Sequence, residues 1–299
     1  MDRLDCIETF VNVLESGSFS AAAKRMGTTQ STVSKRIAML ESTFGTSLFL
    51  RTTRRLAPTE EARRVYEQAR NIIDAYQLTQ AAARNAYPVP AGTLTISAPS
   101  SVGRHLLMPI AHDFQQMYPE VILDIRLTEQ QVNLVAEGVE LALRIGELED
   151  SSLRARSLGR VSRFAVASPQ YLQFRPSPED PSDLSTHACI GYSRFGAPTT
   201  WVFEGENGRH VVNIECAVKL DDADTLQSAL LNGMGIGILP GWLVNPCIER
   251  GELEIVLPDY TVPSLPLNAV YPDLGRLSLR ARIFLDFIAA RKNMLVTPD

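Results

Sequence analysis

What this chain lacks narrows it first. Its 299 residues include only 4 cysteines, Cys6, Cys189, Cys216 and Cys247, and no two of them form a C-x-x-C pair. Spacing that wide supports neither a disulfide framework nor a zinc site, so the four read as reduced, mostly buried thiols. No apolar run approaches the length of a membrane span, and Asp2, Arg3, Asp5 and Glu8 interrupt the start. A cytoplasmic protein with no membrane partner is expected. Enzyme signatures are missing too: there is no G-x-S-x-G elbow and no G-K-[ST] phosphate loop. Gly233-Met234-Gly235-Ile236-Gly237 lies after a helical pattern and before a strand pattern, the reverse of a dinucleotide-binding loop. His105 and His112, seven residues apart, can share a helix face, but no third ligand stands near, so surface histidines are expected rather than a metal pair. No catalytic residue, metal or cofactor is assigned.

What is present is concentrated at the N-terminus. Residues 18–55 read as two short helices, a tight turn and a basic tail. Phe19, Ala22, Ala23 and Met26 share one face, and Gly27 stops the first helix. Val33, Ile37 and Leu40 follow at helical spacing, and Gly45 closes the second helix. The opposite face carries Gln30, Ser31, Thr32, Ser34, Lys35 and Arg36, which are short, hydrogen-bonding and basic. That is what a helix needs to lie in a major groove and read base edges. Leu48, Phe49 and Leu50 can anchor a hairpin with Arg51, Arg54 and Arg55 near its tip. Between Lys24 and Arg64 nine bases face three acids, although the whole chain carries a net charge of −5. A basic island in an acidic protein is an electrostatic footprint for phosphate. The competing reading is a cytoplasmic solute-binding protein with an incidental basic N-terminus.

This block resembles the winged helix-turn-helix of LysR-type transcriptional regulators. The matching residues are Phe10, Val11, Glu15, Gly17 to Ala23, Gln30-Ser31, Val33-Ser34, Ile37, Leu40-Glu41, Gly45, Leu48-Phe49, Arg51 to Arg54 and Thr59-Glu60. The likeness continues through SAPSSVGRHLLMP, LALRIGELEDSSL, ASPQYL and GMGIGILPGWLV, nearly the full chain. Glu61-Ala62 departs from the family's usual alanine-glycine. The resemblance implies a non-enzymatic bacterial regulator with three kinds of partner: double-stranded promoter DNA, a small organic effector, and further copies of itself as a homodimer and homotetramer. It leaves a contact with RNA polymerase and a redox-sensing cysteine open.

Residues 59–86 contain no glycine or proline. Thr59 can cap this helix. Ala62, Val65, Ala69, Ile72, Tyr76, Thr79, Ala83 and Ala86 alternate steps of three and four, a heptad seam. Packing on its own domain is one reading; a dimer seam through Val65, Ala69, Ile72 and Tyr76 is preferred, since a narrow stripe suits helix pairing. Pro88 to Gly92 then breaks the helix.

From Thr93 strands and helices alternate, giving an expected β-α-β pattern with a parallel sheet and a helix over residues 130–138. The expected fold is α/β: a winged helix-turn-helix over 1–59, a dimerising helix over 60–87, a hinge over 88–92 and an effector domain over 93–299. The resemblance implies a periplasmic-binding-protein architecture for the last, with lobe I about 93–162 and 268–299 and lobe II about 163–267. Ligands in open α/β sheets bind beyond strand carboxyl ends. Ser100 and Ser101 follow the first strand and suit an anion. With them, the resemblance carries over Thr128, Gly146, Tyr192, Phe195 and Asp222 as effector-cleft candidates.

Overall fold

The structure is a computed structural model that describes residues 2–51, 56–83, 89–148, 153–192, 200–273 and 277–291. The chain divides into two compact units, Met1–Pro90 with Leu274–Arg282, and Ala91–Asp273 with Ile283–Asp299.

The first unit is built by local capping. Helix α1 (Arg3–Ser16) starts where Asp2 accepts from the Leu4 amide and ends at Gly17, whose φ of 68° only glycine adopts freely. Helix α2 (Phe19–Arg25) starts at Ser18, and α3 (Gln30–Phe44) at Thr29, each side chain accepting from an amide three residues on. Strands β1 (Phe49–Arg51) and β2 (Leu56–Pro58) form an antiparallel wing. Helix α4 (Glu60–Ala83) follows, with the Thr59 hydroxyl accepting from the Ala62 amide. Phe10, Val13, Ala22, Val33, Ile37 and Leu48 are fully buried, and Phe49 stands 5.9 Å from both Phe10 and Phe19. That core fixes α3 against α1 and leaves its other face outward.

The second unit opens with β3 (Gly92–Ala98). A continuous helical run follows, made of α5 (Ser100–Val102), a π-helical turn (Gly103–Leu107) and α6 (Met108–Met117). Then come β4 (Val121–Leu127), β5 (Leu141–Ile145), β6 (Leu153–Ala167), α7 (Pro169–Leu172), β7 (Cys189–Tyr192), β8 (Thr200–Gly205), β9 (Gly208–Asn213) and β10 (Cys216–Leu220). The chain continues through α8 (Ala223–Leu231), β11 (Gly237–Pro240), α9 (Gly241–Glu249), β12 (Glu254–Ile255), β13 (Val262–Pro272) and α10 (Leu279–Ala290).

The main sheet runs β11-β6-β13-β5-β3-β4, with β12 also on β6. Among the described strands, β4-β3-β5 and, separately, β7-β10 pair in parallel. β13 is antiparallel to β5 and β6, and β11 and β12 are antiparallel to β6. The sheet is therefore mixed, not parallel as the β-α-β pattern suggested. The reason is topological: the chain leaves lobe I along β6 and returns beside it along β13. Lobe I buries Phe114 edge-on against Phe284 and Phe287. Lobe II has one cluster around Trp201, Phe203 and Ile236 and another around Ile190, Leu226 and Leu243. The expected helix over 130–138 is a turn. Asn133 accepts from the Ala136 amide, a local bond that competes with helix, and Gly138 has a φ of 64°.

Candidate DNA-reading face and effector cleft

On α3, Gln30, Ser31 and Lys35 are exposed and Ser34 half-exposed, at spacings that put them on one face. Their bonds are short-range. The Ser20 hydroxyl donates to Gln30 Oε1 at 3.2 Å, and Ser31 and Thr32 each share a hydrogen bond with the Thr29 hydroxyl at 2.9 and 2.8 Å. Thr32 is thereby turned to the cap. Arg36 departs from the group: Nη2 donates to Asp5 Oδ2 at 2.8 Å and Nη1 to the Thr9 hydroxyl at 3.4 Å. It ties α3 to α1 rather than joining the outward face. Arg51 lies on β1, and Arg54 and Arg55 lie outside the described residues.

Helix α4 divides along its length. Ala62 and Ala69 are buried in the first unit's own core, with Val65, Tyr66 and Ile73 partly buried against it. Ile72 and Tyr76, by contrast, are each 48% exposed. Half of the expected seam thus serves the head's interior and half faces outward. Beneath it, Glu15 collects three elements. Tyr66 OH donates to Oε1 at 3.0 Å, Arg25 Nη1 to Oε2 at 2.9 Å, and buried Arg70 has its Nε 3.8 Å from Oε1.

Within the second unit a cavity of about 350 Å³ opens at the strand ends between the lobes. Of the expected effector residues, Ser101 and Tyr192 line it. Trp242 Nε1 donates to Ser101 Oγ across the lobes at 3.0 Å. Ser100 lies beside it, but its amide already donates to Glu129 Oε1 at 2.7 Å, and Tyr192 OH donates to Glu129 Oε2 at 2.9 Å. The amide that the sequence offered to a ligand anion therefore holds an internal one. Thr128 accepts from the Gln130 amide in a turn, and Asp222 caps α8 through Thr225. Gly146 is held at a φ of 106°, its amide donating to the Pro266 carbonyl. Phe195 lies outside the described residues. At one rim Asp224 meets Arg104 at 2.8 Å and His105 at 2.7 Å, so the lobes touch through ions as well.

No motif or spacing singled out Arg163, Glu129, Trp201 or Trp242, all of which line the cavity. Arg163 sits half-buried on β6. Its Nε and Nη2 both donate to the Pro263 carbonyl, at 3.0 and 2.6 Å. Among the described residues no carboxylate pairs with it. Burial pushes its pKa down from the ordinary value. The cysteines are quiet: burial raises the pKa of Cys6 and Cys247, and pushes that of Cys189 up to about 12.

A winged helix-turn-helix, a long helix and a two-lobed domain with an inter-lobe cleft define a DNA-binding regulator with a ligand-binding domain. Residues 4–63 match the bacterial regulatory helix-turn-helix family of lysR type, and residues 89–293 match the LysR substrate binding domain. The chain belongs to the LysR family of transcriptional regulators. It is similar to the regulator CrgA of Neisseria meningitidis, 36% identical over 284 residues and 94% of each chain. It is also similar to the Escherichia coli activator TtdR, 32% identical over 95% of this chain and 92% of that one. The solved CrgA structure overlays with a TM-score of 0.63 over 96% of this chain and 98% of that one, at 34% identity. Full-length AphB of Vibrio cholerae gives 0.61 over 97% and 99%, at 27%.

Proposed function

We propose that this LysR-type regulator senses a small organic molecule bearing an anionic group, bound between the lobes, and that binding alters its grip on promoter DNA. Residues 1–59 read DNA, 60–87 pair copies, 88–92 hinge and 93–299 sense. Gln30, Ser31, Ser34 and Lys35 face the bases. Ile72 and Tyr76 supply the pairing surface of a homodimer, two of which assemble into a tetramer. The observation that carries the effector reading is Arg163, a half-buried guanidinium in the wall of an otherwise largely apolar cavity, with no carboxylate partner among the described residues. A desolvated cation of this kind draws an anion. Contacts across the cleft couple occupancy to lobe orientation, so a ligand that favours one orientation shifts its population.

The test is a thermal-shift screen of small carboxylates and sulfonates against wild type and Arg163→Met, paired with fluorescence anisotropy on DNA from upstream of the regulator's own gene. An anion that stabilises wild type but not Arg163→Met, and changes the affinity for that DNA, is the expected result. An anion that stabilises both equally places its site elsewhere.

A further inference from the structure

We infer that Glu129 is a ligand the chain carries for itself, a tethered carboxylate that clamps the two lobes together before any effector arrives. Both of its oxygens are engaged. The Ser100 amide of lobe I donates to Oε1 at 2.7 Å, and the Tyr192 hydroxyl of lobe II donates to Oε2 at 2.9 Å. One carboxylate thus joins a residue 29 positions before it to one 63 positions after it. The first bond alone would be a helix cap. Pro99, at the cap position, gives α5 no side-chain acceptor, and Glu129 supplies one from the turn that follows β4. Capping does not need the second bond. That bond reaches the opposite lobe, and it makes Glu129 a bridge.

The geometry is that of a small bound anion. A free carboxylate between the lobes would accept from the same two donors, one oxygen to each. Tethering gives the internal group an effective concentration in the millimolar range or above, so dilute outsiders do not displace it. The clamp is also reversible. Glu129 is half-buried and Tyr192 is 39% exposed, so opening returns both to water rather than stranding a buried charge. Two further contacts cross the cleft beside it, from Trp242 to Ser101 and from Asp224 to Arg104 and His105. All three land on one short segment, Ser100 to His105, at the head of lobe I's first helical run. An effector at the Arg163 wall therefore meets lobes already clamped, and acts by moving an existing balance. The inference concerns the protein without effector and does not depend on the Arg163 reading.

The experiment uses the full-length chain and acrylamide quenching of its 2 tryptophans, Trp201 and Trp242, which both line the cavity and become reachable as the lobes part. Tyr192→Phe keeps the ring and the Ser100 bond but removes the bridge. The open fraction should rise about tenfold, the low end for a hydrogen bond to a charged group, because the site is partly exposed. Glu129→Ala should open the cleft at least as far. Sodium acetate at about 1–100 mM should close Glu129→Ala again by taking the place of the missing side chain, and sodium chloride at the same ionic strength should not. Acetate should not reclose Tyr192→Phe, in which Glu129 still fills that place. Rescue should persist when Glu129→Ala is combined with Arg163→Met. Melting temperatures and circular dichroism report folding, and Tyr192→Phe decides alone if Glu129→Ala does not fold. If Tyr192→Phe is quenched like wild type, Glu129 is a helix cap and the inference is overturned. If acetate, formate and propionate all leave Glu129→Ala open, it is overturned again. If rescue vanishes with Arg163→Met, acetate acts from the Arg163 wall; the clamp is overturned and the anionic effector is supported. If both variants open and acetate rescues, but no anion acts through Arg163, the clamp stands and the effector reading falls.

Discussion

The DNA-reading face and the effector cleft are built on opposite principles. On the outward face of α3, Gln30, Ser31 and Thr32 bond to neighbours two, three or ten residues away. In the cleft, bonds join residues 29, 63, 119 and 141 positions apart. The first surface is fixed by local caps and one small core, so it is ready before it meets DNA. The second exists only when two lobes meet, so a ligand can change it. A surface that must be constant is made locally, and one that must respond is made from distant parts.

The strongest way to break this contrast lies under the reading head, where Glu15 forms a long-range knot of its own. Glu15→Ala removes the carboxylate to which Tyr66 and Arg25 donate and against which buried Arg70 lies. Urea unfolding should show a loss of about 3–5 kcal/mol. A loss below about 1 kcal/mol would mean that the knot is incidental.

Helix α4 offers the next contrast, between two halves of one stripe. Ile72→Asp places a charge on the exposed half and should cost about 3 kcal/mol of association with little change in monomer stability. Val65→Ala, on the inward half, should lower the melting temperature and leave the sedimentation coefficient unchanged. Identical behaviour of the two in analytical ultracentrifugation would remove the division.

On the reading face itself, Gln30→Ala and Ser34→Ala should each lose roughly 1–3 kcal/mol at one contacted base pair while sparing non-specific DNA. Anisotropy titrations on single-base operator variants measure this. Equal loss on all sequences would make these residues phosphate contacts.

A milder change sharpens the cleft side. Trp242→Phe keeps the ring but deletes the donor to Ser101, at a cost of about 1 kcal/mol in lobe closure. Limited proteolysis of the second unit without ligand should quicken accordingly. The smallest expected effect is none: with its pKa near 12 and its side chain buried, Cys189 stays a protonated thiol at pH 8 and should resist iodoacetamide until the protein is unfolded.

What was legible in the sequence follows the same division. The cap at Thr59 and the stop at Gly45 are local signals, and the structure has them. Arg36 was not legible, because its partner Asp5 lies 31 residues away and nothing near Arg36 announces it. Nor could a three-four stripe on α4 separate core from seam, since an intradomain face and a coiled-coil face differ by only about 0.1 residue per turn. In the cleft, Ser101 was found because it follows the first strand, and Tyr192 because the resemblance carried it over. Arg163 was hidden in the second half of the long strand β6, which starts ten residues earlier, at Leu153, and nothing adjacent to it in sequence marks a cleft wall. Trp242 was hidden on α9, a helix whose nine residues include Pro246.

The course of β6 and β13 bears on how such a sensor can be inherited. Val161 pairs with Leu265 and Arg160 with Pro266, so the point where the chain departs for lobe II and the point where it comes back are neighbours in one sheet. In genealogical terms lobe II is a cassette set into lobe I, exchangeable at two cuts about 5 Å apart. The cleft residue Arg163 and the Trp242 donor would travel with the cassette, whereas Glu129 and Ser101 would stay behind. Recombination at that seam would recast one half of a ligand's recognition at a stroke and leave the DNA-reading face untouched.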